Sequence, residues 1–347
     1  MTNKATLEAG DLLLSLALPD ALGTNFDLYG QAISGMHRVL VLGAEPSEER
    51  LAEAAVRLAG CGGRLFLVAG RLPDGIARAD GPQRLFDPAR RLFAALGLDD
   101  GGVAVLTPRG RLGFVGAGGA ALEDAVASIP PVVPAGPVRR TGAPVLLIPE
   151  ILEPALVEAL LDHWRKGTKL QGRVAMGTDA TGMGAVAGIK RRTDVFLDDR
   201  ALYERYQRRL ERRVVPELWR AFRFRTAGFE APRIGRYSAE DAGGFGAHRD
   251  NRTPSTAHRR FAMSLNLNTG AYGGGTVRFP EFGSEEYEPG PGGCVIFSCD
   301  LLHEALPVTR GERFAIFTFL TDAEGAEQER KMIAQAQARG DRGVAMR

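Results

Sequence analysis

Only three cysteines and five histidines occur among 347 residues, so chemistry that needs a thiol or an imidazole has few places to sit. Cys61, Cys294 and Cys299 form no CxxC pair, and an odd count does not suit a disulfide-stapled scaffold. A reducing compartment is the expectation. Net charge is scarce too: 44 Lys and Arg against 42 Asp and Glu leave +2. A protein that binds a polyanion through its field needs a larger excess, so nucleic acid is not an expected partner. No run of 18 apolar residues occurs, and residues 1–10 show no basic segment leading into an apolar one. The sequence therefore predicts no membrane span, no leader and a cytoplasmic location.

Glycine, by contrast, is abundant: 44 residues, beside 20 prolines. It follows no three-residue period, and a hydrophobic content of 44 % is that of a folded chain, which excludes collagen-like and disordered classes. At roughly 100 to 200 residues per domain, the length suggests two. The proline-rich stretch 131–143 reads as the linker. Domains are expected at 1–130 and 144–322, with a helical tail over 323–347.

In the first of these, strands are predicted at 39–43, 64–69, 103–106 and 112–115, and helices at 48–58, 88–96 and 121–129. That order, strand, helix, strand, helix, strand, strand, helix, is the thioredoxin-like α/β arrangement with helices on both faces of a mixed sheet. The opening Gly10-Asp11, Leu18-Pro19-Asp20 and Phe26-Asp27-Leu28 resembles the start of peroxiredoxins. In that family a nucleophilic cysteine sits where the first long strand meets its helix, a place where the helix dipole lowers its pKa. Here the segment is Ala44-Glu45-Pro46-Ser47-Glu48-Glu49-Arg50, without a thiol, and Cys61 lies at the far end of the helix. The resemblance is one of fold, and Cys61 reads as a structural residue.

After the linker, Pro154 opens a helix whose apolar face is Leu156, Val157, Leu160, Leu161 and Trp164. A second helix is predicted over 199–220, with an arginine-rich face that reads as solvated and laced with i,i+4 pairs. From Pro232 onward the texture changes to short strands between glycine-rich turns, at 233–237, 261–267, 275–279, 293–298 and 313–320. Many short strands with few helices predict a jelly roll, a double-stranded β-helix.

Within this β region stand His248-Arg249-Asp250 and, 55 residues after His248, His303. Two residues apart on an extended chain, His248 and Asp250 share a face, and His303 can join them from another strand. Two imidazoles and one carboxylate suit Fe(II) with positions left open, whereas structural zinc closes its shell with four protein ligands. His37 and His163 read as surface histidines, and His258, in the polar stretch 251–260, as a solvated loop residue.

Arg313 lies ten residues past His303, in His303-Glu-Ala-Leu-Pro307-Val308-Thr-Arg-Gly311-Glu-Arg313. This sequence resembles the signature of the Fe(II)/2-oxoglutarate-dependent dioxygenases, in their prolyl 4-hydroxylase-like branch. Arg192-Thr193 with Phe196-Leu197, Arg236-Tyr237, Gly274-Gly275-Thr276, Phe279-Pro280-Glu281 and Pro291-Gly292-Gly293 follow the same family order, so the resemblance covers about 145–320. It implies that His248, Asp250 and His303 hold Fe(II). It also implies that Arg313 grips the far carboxylate of 2-oxoglutarate, which a planar guanidinium can do with two parallel bonds. Tyr237 either donates its hydroxyl to 2-oxoglutarate or simply packs the barrel. Arg310, beside Gly311, is expected in solvent. In halogenating relatives a small residue replaces the carboxylate; Asp250 is present, so hydroxylation is the implied outcome, with ascorbate as reductant.

The substrate is expected to be a small molecule or a peptide, approached by the loops 251–260 and 270–274. Two rival functions stand beside this one. The chain could be a binding or scaffold protein without activity, or a thiol peroxidase acting through Cys61. The first domain is expected to dock a partner or to dimerise.

Overall fold

A computed structural model describes residues 6–13, 17–30, 33, 35–71, 81–132, 142–171, 174–175, 183–184 and 190–338. The chain divides into two units, Met1–Pro137 and Val138–Arg347. Residues 133–141, most of the expected linker, lie outside the described residues, as do 339–347 of the tail.

In the N-terminal unit a short hairpin, β1 (Ala17–Pro19) with β2 (Asn25–Asp27), precedes a five-stranded sheet. β3 (His37–Leu42), α1 (Glu48–Gly60), β4 (Gly63–Ala69), β5 (Gln83–Phe86), α2 (Arg91–Leu96), β6 (Gly102–Leu106), β7 (Leu112–Gly116) and α3 (Ala121–Ala127) follow in turn. The sheet order is β5-β4-β3-β6-β7, with β3, β4 and β5 parallel and β6 and β7 joining antiparallel. Alternate residues of a strand face opposite sides. Val39, Val41, Leu65 and Leu67 therefore pack with α1 and α3, while Leu40, Leu42, Phe66 and Val68 pack with α2.

Two local expectations are corrected here. β5 was not foreseen, because four residues paired in parallel along one neighbour carry no readable period. The helix expected over 88–96 starts only at Arg91. Arg90 adopts a left-handed φ of 51°, and the Asp87 carboxylate accepts the Leu92 N–H at 2.7 Å, so 87–90 is a turn. Ser47 caps α1, with its side chain accepting from the Arg50 N–H. Cys61 follows the last turn of α1, half-buried.

The C-terminal unit begins with β8 (Leu146–Ile148), α4 (Pro154–Lys166), β9 (Leu170–Gln171), the hairpin β10 (Val174–Ala175) and β11 (Met183–Gly184), and β12 (Thr193–Phe196). α5 (Arg200–Arg213) and α6 (Val215–Phe222) replace the single helix expected over 199–220. Pro216 causes the break, since it has no N–H to donate and its ring crowds the carbonyl four residues back. The arginine face is also less solvated than expected. Arg209 pairs with Glu153 at 3.0 Å, and buried Arg213 donates to the Ile151 carbonyl at 2.8 Å.

β13 (Gly228–Phe229), β14 (Arg233–Ser238), β15 (Phe245–His248), β16 (Phe261–Asn266), β17 (Gly273–Gly274), β18 (Val277–Arg278), β19 (Glu286–Tyr287), β20 (Cys294–Ser298), β21 (His303–Ala305), β22 (Val308–Arg310), β23 (Glu312–Thr321) and α7 (Ala323–Ala338) complete it. The larger sheet runs β8-β20-β16-β23-β14-β12-β9, with β13 also on β23; the smaller runs β15-β21-β18-β19. Two antiparallel sheets of short strands are what the glycine-punctuated texture predicted for this part of the chain.

Period-two alternation divides the larger sheet cleanly. Ile234, Met263, Leu265, Ile316 and Leu320 pack with Leu156 and Leu160 of α4, Tyr206 and Leu210 of α5, and Leu218 of α6. The opposite face presents Arg233, Gly235 and Tyr237 of β14, Ser264 and Asn266 of β16, and Arg313 and Phe317 of β23. A sheet face that carries arginines and hydroxyls where a core would carry leucines is the surface on which the site is built. Among the described residues no helix is long and apolar enough to cross a membrane.

Candidate active site

β15 and β21 run antiparallel with His248 directly opposite His303, their ring centroids 4.2 Å apart. The sequence placed Asp250 on the same extended strand as His248. Instead β15 ends at His248, and Asp250 comes from the turn that follows, its backbone N–H donating to the Cys299 carbonyl at 3.1 Å. Its carboxylate reaches both rings: Oδ1 lies 3.3 Å from His248 Nε2, and Oδ2 lies 3.4 Å from His303 Nε2. One ligand atom from each of the three lies within 4.8 Å of the other two.

The far nitrogens of the rings are already engaged. His248 Nδ1 is 2.8 Å from the Gly246 carbonyl, and His303 Nδ1 is 3.1 Å from the Leu301 carbonyl. A carbonyl only accepts, so each neutral ring carries its hydrogen on Nδ1 and turns an Nε2 lone pair toward Asp250. Burial pushes His303 down, toward the neutral form that binds metal. Burial would raise the Asp250 carboxyl, but His303, His248 and Arg259 outweigh it and hold it at about 2. Two imidazole nitrogens and one carboxylate aimed at a common point fit a divalent cation.

Glu281 ties the two limbs of this group together. It accepts from Arg249, between His248 and Asp250, at 2.5 Å, and from the Leu302 N–H, next to His303, at 3.1 Å.

Arg313, second residue of β23, lies directly opposite Tyr237 of β14, and both are buried. Its Nη2 donates to Ser264 Oγ at 2.9 Å and to Asn266 Oδ1 at 2.7 Å. Nε and Nη1 are buried without a hydrogen-bond partner. An unsatisfied buried guanidinium edge is costly, and a carboxylate fits it. Tyr237 packs edge-on against Phe317, 5.9 Å between centroids, with the Arg313 guanidinium carbon 5.7 Å from its ring.

His248, Asp250, His303, Arg313, Tyr237 and Ser264 line one cavity of about 250 Å³, together with Val277, Phe297 and Phe317. Of the two loops expected to approach substrate, 251–260 contributes Arg252, Thr253, Thr256 and Arg259, whereas none of the lining residues comes from 270–274. Cys294 and Cys299 are buried in the cores and do not line it. Arg310 is exposed, as expected.

His258 is the clearest correction. It is buried, with Nε2 2.9 Å from Glu230 Oε1, and Glu230 also takes a two-pronged bond from Arg259 at 2.6 and 2.8 Å. Glu230, His258 and Glu329 could geometrically surround a cation, but the Arg259 guanidinium already fills the Glu230 carboxylate. His163 is likewise half-buried, bonded to the Phe196 carbonyl at 2.9 Å. His37 is half-buried at the start of β3. Sequence reasoning also missed Ser264 and Asn266; the available signal was two polar residues, two positions apart, in the otherwise apolar stretch Phe261–Asn266.

No family model matches this sequence. Over 113 residues the chain is 29 % identical to a PKHD-type hydroxylase of Shewanella oneidensis, a stretch that is 31 % of this chain and 50 % of that protein. The chain thus spans about half the length of the curated relative it matches. Among solved structures it is similar to a prolyl-4-hydroxylase of Pseudomonas putida, with 19 % identity, a TM-score of 0.42, and coverage of 52 % of this chain and 94 % of that one. It is also similar to a prolyl hydroxylase from Trichoplax adhaerens in complex with a hypoxia inducible factor oxygen degradation domain peptide fragment, at 16 % identity and a TM-score of 0.43, covering 52 % and 84 %. A 2OG-Fe(II) oxygenase family oxidoreductase of Burkholderia pseudomallei matches at 16 % identity with a TM-score of 0.38, covering 51 % and 84 %.

Proposed function

We propose that the C-terminal unit is an Fe(II)- and 2-oxoglutarate-dependent dioxygenase that hydroxylates an unactivated C–H bond. The observation that carries this reading is one cavity holding both parts of the machinery: a His248, Asp250, His303 group with its Nε2 lone pairs turned inward, and Arg313 with a buried edge unsatisfied. Iron and 2-oxoglutarate, once bound, would supply the oxidising chemistry that delivers one atom of O2 to the substrate. The chain supplies everything else.

His248, Asp250 and His303 would hold the metal and leave it a net positive charge that welcomes an anionic cosubstrate. Arg313 would take the far carboxylate of 2-oxoglutarate on Nε and Nη1, while Ser264 and Asn266 keep the guanidinium plane fixed. The Tyr237 hydroxyl would donate to the same carboxylate. Val277, Phe297 and Phe317 keep the walls apolar, which strengthens these contacts and limits water. Ascorbate would act as reductant, and the substrate would be a small molecule or a peptide.

For the N-terminal unit we read a thioredoxin-like fold without redox activity that docks a partner or dimerises. Support comes from the sheet order with α1 and α3 on one face and α2 on the other, and from Ser47 at the helix start where a peroxidatic thiol would stand.

The test is mass spectrometry of small-molecule and peptide pools incubated with the full-length protein, Fe(II), 2-oxoglutarate and ascorbate. One species should gain a single oxygen as succinate accumulates, and His248→Ala should abolish both changes. Failure to consume or bind 2-oxoglutarate in the presence of Fe(II) would overturn the reading and favour the scaffold alternative.

A further inference from the structure

The cavity walls carry more positive charge than the metal and 2-oxoglutarate explain. Most of the cations there have a carboxylate of their own. Arg192 grips Asp194 at 2.5 and 2.8 Å, Arg259 grips Glu230, Arg249 pairs with Glu281, and Arg252 with Asp300. Asp250 belongs to the metal group. Two guanidiniums remain in no ion pair among the described residues, Arg313 and Arg233. One far carboxylate of 2-oxoglutarate satisfies only the first.

Arg233 opens β14 on the same sheet face as Tyr237, four residues along, or about 13 Å at the usual strand rise. A single bound 2-oxoglutarate cannot serve both ends of that row. The Arg233 Nε is buried and has no hydrogen-bond partner. Among the described residues the guanidinium makes no ion pair; the Phe196 ring lies 5.3 Å away, and Glu230 and Asp194 act on it only through space. Burial, with Arg192 and Arg259 nearby, pulls its pKa down to about 10 despite Glu230 and Asp194, as expected of a cation short of counter-charge. Lys190 links this end to the metal group. It lines the same cavity, and its ammonium feels Arg192, Arg233 and Asp250 together.

Resting on the dioxygenase reading, we infer that the substrate presents a carboxylate to Arg233 while its reacting carbon lies toward His248, Asp250 and His303. A planar guanidinium matches a carboxylate with paired donors, and the Phe196 ring lies 5.3 Å from it. About 250 Å³ must hold cosubstrate and substrate together, which is less than a drug-sized ligand alone occupies, so the inserted portion is small. A free amino acid, or one acidic residue of a peptide, satisfies both limits.

Binding is tested first without turnover. Full-length protein loaded with Mn(II) and 2-oxoglutarate under nitrogen is titrated calorimetrically with free amino acids and their carboxamides, and with short peptides carrying Glu or Gln at one position. An acid should bind at least tenfold more tightly than its matched amide. Arg233→Gln should remove that preference, and Arg233→Lys should restore part of it. With Fe(II) and air, the same acid should raise succinate release, and Arg233→Gln should raise its KM more than it lowers kcat. Preference among free acids names a metabolite, and preference among Glu peptides names an acidic peptide. Equal binding of acids and amides, an Arg233→Gln variant that keeps the preference, or no acid bound at all would overturn the inference. Should 2-oxoglutarate itself fail to bind the Mn(II)-loaded protein, the dioxygenase reading falls first and the inference with it.

Discussion

Tyr237 and Arg313 stand directly opposite each other across β14 and β23, one offering a phenol and the other a guanidinium with two unsatisfied nitrogens to the same cavity. Losing a charge-assisted bond costs about 1.5 to 3 kcal/mol, or roughly tenfold to more than a hundredfold in affinity. Arg313→Gln is therefore expected to raise the KM for 2-oxoglutarate by at least about tenfold. Tyr237→Phe, losing the bond that the phenol donates to the same carboxylate, should also raise it by about tenfold or more. Steady-state kinetics with varied 2-oxoglutarate checks both.

Ligand and fold are linked through the same arginine. A cosubstrate bound only by the native state stabilises it by about 2.7 kcal/mol at a hundred times its Kd. Saturating 2-oxoglutarate with Mn(II) should raise the melting temperature of the wild type and, at the same concentration, raise that of Arg313→Gln by at most about half as much, as read by calorimetric scanning.

Glu230 is the most heavily engaged buried acid, held by Arg259 and His258 at the edge of the cavity. Removing its charge strands the Arg259 guanidinium, so Glu230→Gln is expected to cost about 3 to 5 kcal/mol in urea unfolding. The pH dependence follows from the same contact. Burial would raise the Glu230 carboxyl, but Arg259 and His258 hold it far below the ordinary carboxylate range. A depressed folded-state pKa gives stability that is complete above the unfolded value, about 4.3, and is lost as the pH falls below it. Urea midpoints should decline below about pH 4.5 in the wild type and decline less steeply in Glu230→Gln.

Much of this site was legible in the chain. His248, Asp250, His303 and Arg313, which the fold brings to one cavity, stand out because few residue types suit a metal ion or a carboxylate. The partners were not legible. Ser264 and Asn266 reach Arg313 only because β16 pairs with β23 in one register, and Glu230 meets His258 and Arg259 across 28 and 29 residues. The polar sequence around His258 looked solvated because its neutralising acid lies far away in the chain. In the N-terminal unit the continuous apolar strands and amphipathic α1 were readable, whereas β5 depended on an edge pairing that leaves no periodic trace.

Glu281 should act on metal affinity without touching the metal, by holding Arg249 and the Leu302 N–H. Loss of such an orienting partner typically costs tenfold to a hundredfold in affinity. Glu281→Ala should weaken Mn(II) binding by about that factor, and Glu281→Gln, which keeps an acceptor for the Leu302 N–H, by less. Calorimetric titration distinguishes them.

The most direct test of the central claim is titration of the full-length protein with Fe(II) under nitrogen, alone and with 2-oxoglutarate. One equivalent should bind in the wild type and be lost in His248→Ala, Asp250→Ala and His303→Ala, with 2-oxoglutarate binding tightly only when metal is present. Metal binding of unchanged stoichiometry and affinity in those three variants would contradict the account.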